Sequence, residues 1–267
     1  ARLVQIVPGA DSGWRIGFQW LADRGAWGRE AMWRPRRPGQ TALCLPPLAN
    51  FADGPSGLAY DVGIGLPERF RDCFFLCDFR GSRPHSGVHA LRLERHGAGF
   101  ELVADERLFW NVLATDVDFG PDGSMYVFDW VESWSKTGKG RLYRVRSTDA
   151  NAAPAGRDSA RLLAADLARE SPPALQRLLA HADRRVRQAA QFALVDLEAG
   201  DALLAVATGP ARSDTRVHAV FGLGILARRG KIDPTLLLPL LADGDGDVRA
   251  TAARVLGDAR AAAAADA

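Results

Sequence analysis

The stretch Cys73-Phe74-Phe75-Leu76-Cys77-Asp78 is a run of apolar residues that ends in an acid. A short apolar and aromatic run between turn residues is typical of a buried β-strand. The stretch Ser124-Met125-Tyr126-Val127-Phe128-Asp129 repeats the pattern and also ends in Asp. Before each run lie a short strand pattern and a turn, and after it come a loop and an amphipathic strand. The predicted strands are Ser56–Tyr60, Cys73–Phe79, Val88–Glu94, Phe100–Leu108, Thr115–Phe119, Ser124–Asp129 and Arg141–Arg146.

Successive short strands in one repeated order favour propeller blades or a β-sandwich. We expect residues 1–147 to form the C-terminal blades of a β-propeller. A propeller usually has at least four blades, and this half of the chain has room for fewer. The chain is therefore expected to be a segment of a longer, multidomain protein.

The second half of the chain carries a helical repeat. Asp183-Arg184-Arg185-Val186-Arg187 has counterparts that begin at Asp214 and Asp245, so the period is 31 residues. Helix pairs stacked at such a period predict an all-α, HEAT-like solenoid over residues 159–260. Each Asp is placed to accept a backbone N–H as the N-cap of a helix. Residues 148–158 are small and polar and are expected to be a linker, with a disordered tail at 261–267.

Charge and hydropathy exclude some classes of protein. The 267 residues include 34 Lys and Arg against 32 Asp and Glu, a net charge of +2, so the chain is not an obvious nucleic-acid binder. No stretch approaches the ~20 apolar residues that span a bilayer. Cys73 and Cys77 would lie ~13 Å apart along one strand, too far for a disulfide. Cys44 could pair with either of them, or all three could be buried free thiols.

Several motifs in the first half occur in one order and resemble a known family. They are Gly9–Arg15, Gly54–Gly57, Cys77–Gly81, Ala114–Gly123 and Asp129–Arg144. Over about residues 1–260 the chain resembles the membrane-bound dehydrogenase family of planctomycete-type bacteria. The resemblance implies a glucose/sorbosone-dehydrogenase-like propeller, HEAT repeats and a downstream c-type cytochrome domain. It also implies a periplasmic or secreted location, with membrane association, and a haem c outside this chain.

The resemblance implies an oxidoreductase that oxidises a sugar or alcohol and passes electrons to that haem. Related sugar dehydrogenases use pyrroloquinoline quinone (PQQ), whose three carboxylates need cationic partners. Leu113 and Thr115 stand where that family has two arginines, which argues against PQQ in that mode. The alternative is a non-catalytic scaffold that binds glycans or partner proteins. The candidate cofactor-binding residues are Trp14, Arg80, Lys136 and Lys139.

Three residues are candidates for catalysis. Asp78 and Asp129 end equivalent strands, so either could act as a general base on a sugar hydroxyl. Alternatively, each Asp caps its own turn and Arg80 pairs with Asp78. His85 follows in a loop and is either a catalytic histidine or a solvent-exposed one.

Aromatic residues are the candidates for substrate binding. Trp110, Trp130 and Trp134 could stack on a sugar ring, or they could fill the gaps between blades. Asp116 belongs to an acidic stretch that resembles a calcium loop, although the spacing is not that of an EF-hand. If Ca²⁺ binds to this stretch, we expect Asp116 to be its ligand. Alternatively, no metal binds, and Pro121-Asp122-Gly123 is an ordinary hairpin turn. The solenoid arginines either form a basic face for a protein partner or pair with the repeated aspartates.

Overall fold

The structure is a computed structural model that describes residues 2–7, 10, 29–30, 36–37, 45, 47–97, 99–149 and 152–262. The described residues divide into two compact units. The β unit contains those within 1–61, 66–120 and 124–147. The helical unit contains those within 62–65, 121–123 and 148–267. Trp14, Cys44 and the tail from 263 onward lie outside the described residues.

The β unit consists of three antiparallel sheets. A two-stranded sheet pairs β1 (Arg2–Leu3) with β2 (Ala49–Asn50). A four-stranded sheet contains, in chain order, β3 (Pro55–Tyr60), β4 (Cys73–Asp78), β5 (Gly87–His96) and β6 (Gly99–Trp110). A three-stranded sheet contains β7 (Ala114–Phe119), β8 (Met125–Asp129) and β9 (Arg141–Val145). Single 3₁₀ turns occur at Glu68–Phe70 and Arg83–His85.

Strand β4 forms the centre of the β unit because it lies between β3 and β5. Phe75 is fully buried and packs edge-to-face against Phe119, with ring centroids 5.6 Å apart. Cys73 and Cys77 are buried free thiols. Burial raises the pKa of Cys77 to about 12, so its thiol stays protonated at neutral pH. The apolar run that predicted a strand is thus the core of this unit.

The helical unit follows. Its α-helices are α1 (Ala152–Ala164), α2 (Pro172–Leu178), α3 (Arg184–Asp196), α4 (Gly200–Thr208), α5 (Ser213–Arg228) and α6 (Gly246–Asp258). Leu167–Arg169 and Pro234–Ala242 form 3₁₀ helices. Helix α1 begins within the stretch that the sequence predicts to be a linker. Buried Leu, Val and Ala side chains from all of these segments share one apolar core. No helix within the described ranges is both long and apolar enough to span a bilayer.

The repeated aspartates do not all occupy the same helix position. Asp183 and Asp245 are the N-caps of α3 and α6, as predicted, and accept backbone N–H groups through their Oδ1 atoms. Asp214 instead lies in the first turn of α5, whose N-cap is Arg212. Two of the recurring arginines pair with these acids: Arg185 with Asp183 at 2.8 Å and Arg187 with Asp214 at 3.6 Å.

The predicted fold class is wrong. The described strands form separate sheets of two, four and three strands that do not close into a propeller, and helices follow them, so the chain is mixed α/β. The turn signals define local hairpins, but closing sheets around an axis depends on contacts that the local pattern does not encode. The predicted HEAT-like solenoid over residues 159–260 is not formed, and the reason is local. Where the third repeat needs a first α-helix, Pro239 lies inside a 3₁₀ helix.

The packing of α5 against α6 yields a stability prediction. A Cβ at Gly224 would lie 2.6 Å from Cβ of Val255, whereas a Cβ at Gly257 in α6 would meet nothing within 4 Å. We expect Gly224→Ala to destabilise the helical unit by roughly 1–3 kcal/mol through overpacking. Gly257→Ala should instead stabilise it by a few tenths up to about 1 kcal/mol through helix propensity. Urea unfolding followed by far-UV circular dichroism measures both, and equal midpoints for the two variants would contradict the helix contact.

His218 makes the stability of the helical unit depend on pH. Its Nδ1 lies 2.8 Å from Oε1 of Gln191 in the neighbouring helix α3. Burial, assisted by the positive charge of Arg187, lowers its pKa from 6.5 to about 4. The unfolded chain therefore binds more protons than the folded one between these two values. This contribution is fully present above pH ~6.5 and is lost as the pH falls toward ~4.

We expect acidification from pH 7.5 to pH 5 to cost the helical unit about 1–2 kcal/mol through this one histidine. Urea midpoints at the two pH values, followed at 222 nm, measure the loss. His218→Gln should remove that part of the pH dependence, whereas His96→Gln, an exposed histidine of the β unit, should retain it. A His218→Gln protein with the wild-type pH slope would show that another group titrates.

Candidate functional site

Asp78 and Asp129 are the last residues of β4 and β8. Asp78 is fully buried, and its Oδ1 accepts the Gly54 N–H at 2.8 Å. Asp129 is 3% exposed, and its Oδ1 accepts the N–H groups of Leu113 at 3.0 Å and Val131 at 2.9 Å. In each case a carboxylate at the end of a central strand binds the segment that enters the preceding strand. Both side chains therefore organise the loops around them.

Asp78 is also the buried centre of a charge network whose other acids reach the surface. Arg80 Nε donates to Asp78 Oδ2 at 2.7 Å, and Arg80 Nη1 lies 2.8 Å from Asp53. On the other side of Asp78, His89 Nε2 lies 3.7 Å from Oδ2, and His89 Nδ1 contacts Asp105 Oδ1 at 2.6 Å. A buried carboxylate needs such partners because desolvation would otherwise favour its neutral form. Arg80 thus pairs with Asp78, which was one of the two readings of the sequence.

A pocket of about 490 Å³ opens beside these strand ends. Among the described residues its lining consists of Gly54, Pro55, Ser56, Phe79, Thr115, Trp130, Trp134 and Lys136. Three of the predicted site residues, Trp130, Trp134 and Lys136, are therefore brought together. The volume lies within the range of small-molecule sites.

The pocket draws equivalent residues from two copies of one strand pattern. Pro55 pairs with Asp78 as Ala114 pairs with Asp129. Ser56 and Thr115 therefore follow at matching positions of β3 and β7. In the same way Phe79 and Trp130 each follow the acid that ends a central strand. Two similar halves thus supply two hydroxyls and two aromatic rings.

Trp134 forms one side of the pocket because Gly81 leaves room for it. A Cβ at Gly81, where φ is +71°, would lie 2.2 Å from Trp134 Nε1. The Trp134 ring also packs edge-to-face on Phe79, with centroids 4.8 Å apart and planes at 74°. The Trp134 residue nevertheless remains 72% exposed. A large, exposed aromatic ring with fixed neighbours is typical of a binding surface.

The backbone between the two pocket tryptophans is held in a strained conformation. Val131 has a φ of +78° and Ser133 a φ of +34°. A positive φ is unusual for a β-branched residue and costs of order 1–3 kcal/mol. Asp129 accepts the Val131 N–H, and the Arg83 guanidinium donates to the Val131 carbonyl through Nε at 3.2 Å and Nη2 at 3.1 Å. These bonds fix the direction in which the chain leaves Trp130.

The polar groups of the pocket differ in what they offer a ligand. Ser56 Oγ donates to the Ala114 carbonyl at 3.2 Å, and Thr115 Oγ1 donates to the Phe128 carbonyl at 3.3 Å. Since each hydroxyl uses its proton, its oxygen remains an acceptor. The Trp130 Nε1–H is buried and has no acceptor among the described residues. The pocket thus combines acceptors from two hydroxyls with the ammonium donor of Lys136.

The other predicted site residues that the structure describes are not among the lining residues of this pocket. Trp110 Nε1 donates to the Pro84 carbonyl at 3.0 Å, and His85 Nδ1 lies 3.1 Å from Ser82 Oγ. Asp116 lies against Gly57, and its Oδ1 accepts the N–H of the next residue at 2.9 Å. No group of three or more His, Cys, Asp or Glu side chains that could hold a metal ion occurs in the described part of the chain.

Two of the three predicted cofactor-binding cations, Arg80 and Lys139, pair with acids. Arg80 pairs with Asp78 and Asp53, and Lys139 lies 3.2 Å from Glu132. Trp14 is outside the described residues. A quinone with three carboxylates would have to break both sets of pairs to recruit these cations. As placed, they do not fit such a group.

Sequence reasoning missed five of the described lining residues, and for three of them a signal was present. Phe79 stands after Asp78 as Trp130 stands after Asp129, and Ser56 corresponds to Thr115. Aligning the two copies residue by residue would have selected both pairs. Comparison of the chain with family models, curated proteins and solved structures finds no match.

The contact between Gly81 and Trp134 can be tested with a matched glycine. Gly97, in the turn between β5 and β6, has a similar φ of +59°, but a Cβ there would meet nothing within 4 Å. Gly81→Ala and Gly97→Ala therefore share the backbone strain, and only the first displaces Trp134. We expect Gly81→Ala to be less stable than Gly97→Ala by roughly 1–3 kcal/mol.

Acrylamide quenching of Trp134 provides the direct measurement. Its signal is the difference between each glycine variant and the same variant carrying Trp134→Phe. Quenching should increase in Gly81→Ala and stay at the wild-type value in Gly97→Ala. If both variants quench alike, Trp134 does not rest on Gly81.

Proposed function

We propose that the chain binds a saccharide in the pocket lined by Trp130, Trp134 and Phe79. The observation that carries the proposal is the convergence of two tryptophans and a phenylalanine with two hydroxyl acceptors and the Lys136 ammonium in one open cavity. The C–H faces of a sugar ring pack on aromatic rings, and its hydroxyls both donate and accept hydrogen bonds. Ser56 and Thr115 match the donors of such a ligand, and Lys136 matches its acceptors.

The ring geometry favours a sugar over a planar base. Phe79 and Trp134 meet at 74°, so they do not form the parallel walls between which a nucleobase would stack. The perpendicular arrangement presents one face and one edge, which suits a ligand with C–H groups on several sides. A sugar ring meets this requirement better than a flat heterocycle.

Binding without turnover is the reading that fits the carboxylates. Asp78 and Asp129 are 0% and 3% exposed and accept backbone N–H groups from the loops they organise. Neither lines the pocket, and no Asp, Glu or His is among its described lining residues. A general base must reach the proton that it removes. The proposed function is therefore recognition of a glycan rather than its oxidation.

Calorimetric titration of the 267-residue chain with a panel of neutral and acidic oligosaccharides tests the proposal. Trp134→Ala should weaken the binding of any ligand found by about tenfold, since an aromatic contact is worth roughly 1–1.5 kcal/mol. Phe192→Ala, which removes an exposed ring of the helical unit, is the matched control and should leave the affinity unchanged.

Two results would contradict a saccharide site in this pocket. The first is the absence of heat and of a change in tryptophan emission with every sugar in the panel at millimolar concentration. The second is a nucleoside monophosphate that binds more tightly than every sugar. A saccharide whose affinity is the same in the Trp134→Ala and wild-type proteins would move the site elsewhere.

A further inference from the structure

Lys136 is the charged side chain that the described lining brings to the pocket. It is the one charged side chain among the described lining residues, and it makes no ion pair with any residue that the structure describes. Lys139, three residues further along the same exposed loop, lies 3.2 Å from Glu132. Both lysines are therefore exposed in the same loop, but of the two only Lys139 lies beside a described carboxylate.

The acids near the pocket do not neutralise Lys136 either. Asp53 and Asp78 both pair with Arg80, at 2.8 Å and 2.7 Å, and Asp78 is fully buried. Asp129 is buried beneath the Val131 turn, where Arg141 Nη1 lies 3.8 Å from its Oδ2. Asp53, Asp78 and Asp129 thus each lie beside an arginine. The surface that a ligand meets is aromatic, hydroxylated and positive.

From this arrangement we propose that the ligand is an acidic saccharide, a uronic acid or a sulfated sugar, whose anionic group pairs with Lys136. This inference rests on the proposed function and specifies its ligand class. The aromatic rings of Trp130 and Trp134 pack on the sugar, and the Lys136 ammonium binds the acid as a point charge. Ser56 and Thr115 accept hydrogen bonds from ring hydroxyls, so the sugar is oriented while its acid lies near Lys136.

The experiment compares ligands that differ only in charge. An oligogalacturonate and its methyl ester share one backbone, so their affinity ratio isolates the carboxylate. We expect the acid to bind about three- to tenfold more tightly than the ester at low ionic strength, since an exposed ion pair is modest in strength. The preference should shrink as salt is raised from 20 to ~300 mM because the charges are screened. A sulfated oligosaccharide and its desulfated form make the second arm, and the arm with the larger ratio identifies the acid.

The matched variants are Lys136→Gln and Lys139→Gln, with thermal unfolding to show that both remain folded. Lys136→Gln should abolish the preference for the acid, so that the acid and the ester bind this variant with equal affinity. Lys139→Gln should keep the preference. A preference that survives Lys136→Gln overturns the assignment of this lysine. Equal binding of charged and neutral forms in both arms overturns the acidic ligand but leaves the saccharide site in place, whereas no binding of any form overturns the proposed function itself.

Discussion

The geometry of the pocket depends on two buried carboxylates that accept backbone N–H groups. Asp78 binds the Gly54 N–H and Asp129 binds the N–H groups of Leu113 and Val131. A buried acid is tolerated only when hydrogen bonds and a cation compensate its desolvation, and both acids have such partners. Removing either one would leave buried N–H groups without acceptors at a strand end. The loops that bear the aromatic residues therefore depend on two carboxylates that are not among the described lining residues.

The sequence predicted the local elements better than their assembly. Apolar runs such as 73–78 and the turn residues between them are short-range signals, and the corresponding strands lie where the pattern predicts them. The sheets, however, do not close into a propeller, because closure depends on packing between elements that are distant in the chain. The helical repeat predicted the N-caps Asp183 and Asp245, but α5 begins at Ser213, one residue before Asp214. Pro239 likewise lies in a 3₁₀ segment rather than in a regular helix.

Part of the site was likewise predictable from short-range signals, and the rest depends on contacts between distant parts of the chain. Trp130, Trp134 and Lys136 were selected by residue type, and they do line one pocket. Sequence left open whether Asp78 caps a loop or faces a ligand, since both roles need the same side chain at the same place. Only burial and the Gly54 hydrogen bond distinguish them. The position of Trp134 against Gly81 spans 53 residues of chain, and no local pattern specifies such a contact.

The pocket forms where the two copies of the strand pattern differ in sequence. After the shared acid and aromatic residue, the first copy continues with Arg80 and Gly81 and the second with Val131 and Glu132. Arg80 turns inward to the buried Asp78, and the absent side chain of Gly81 leaves space above it. In the second copy the chain turns sharply at Val131 and continues to Trp134, whose ring fills that space. Gly81 of the first copy thus leaves a space, and the Trp134 ring of the second copy occupies it. The pocket forms because the two copies diverge at these positions.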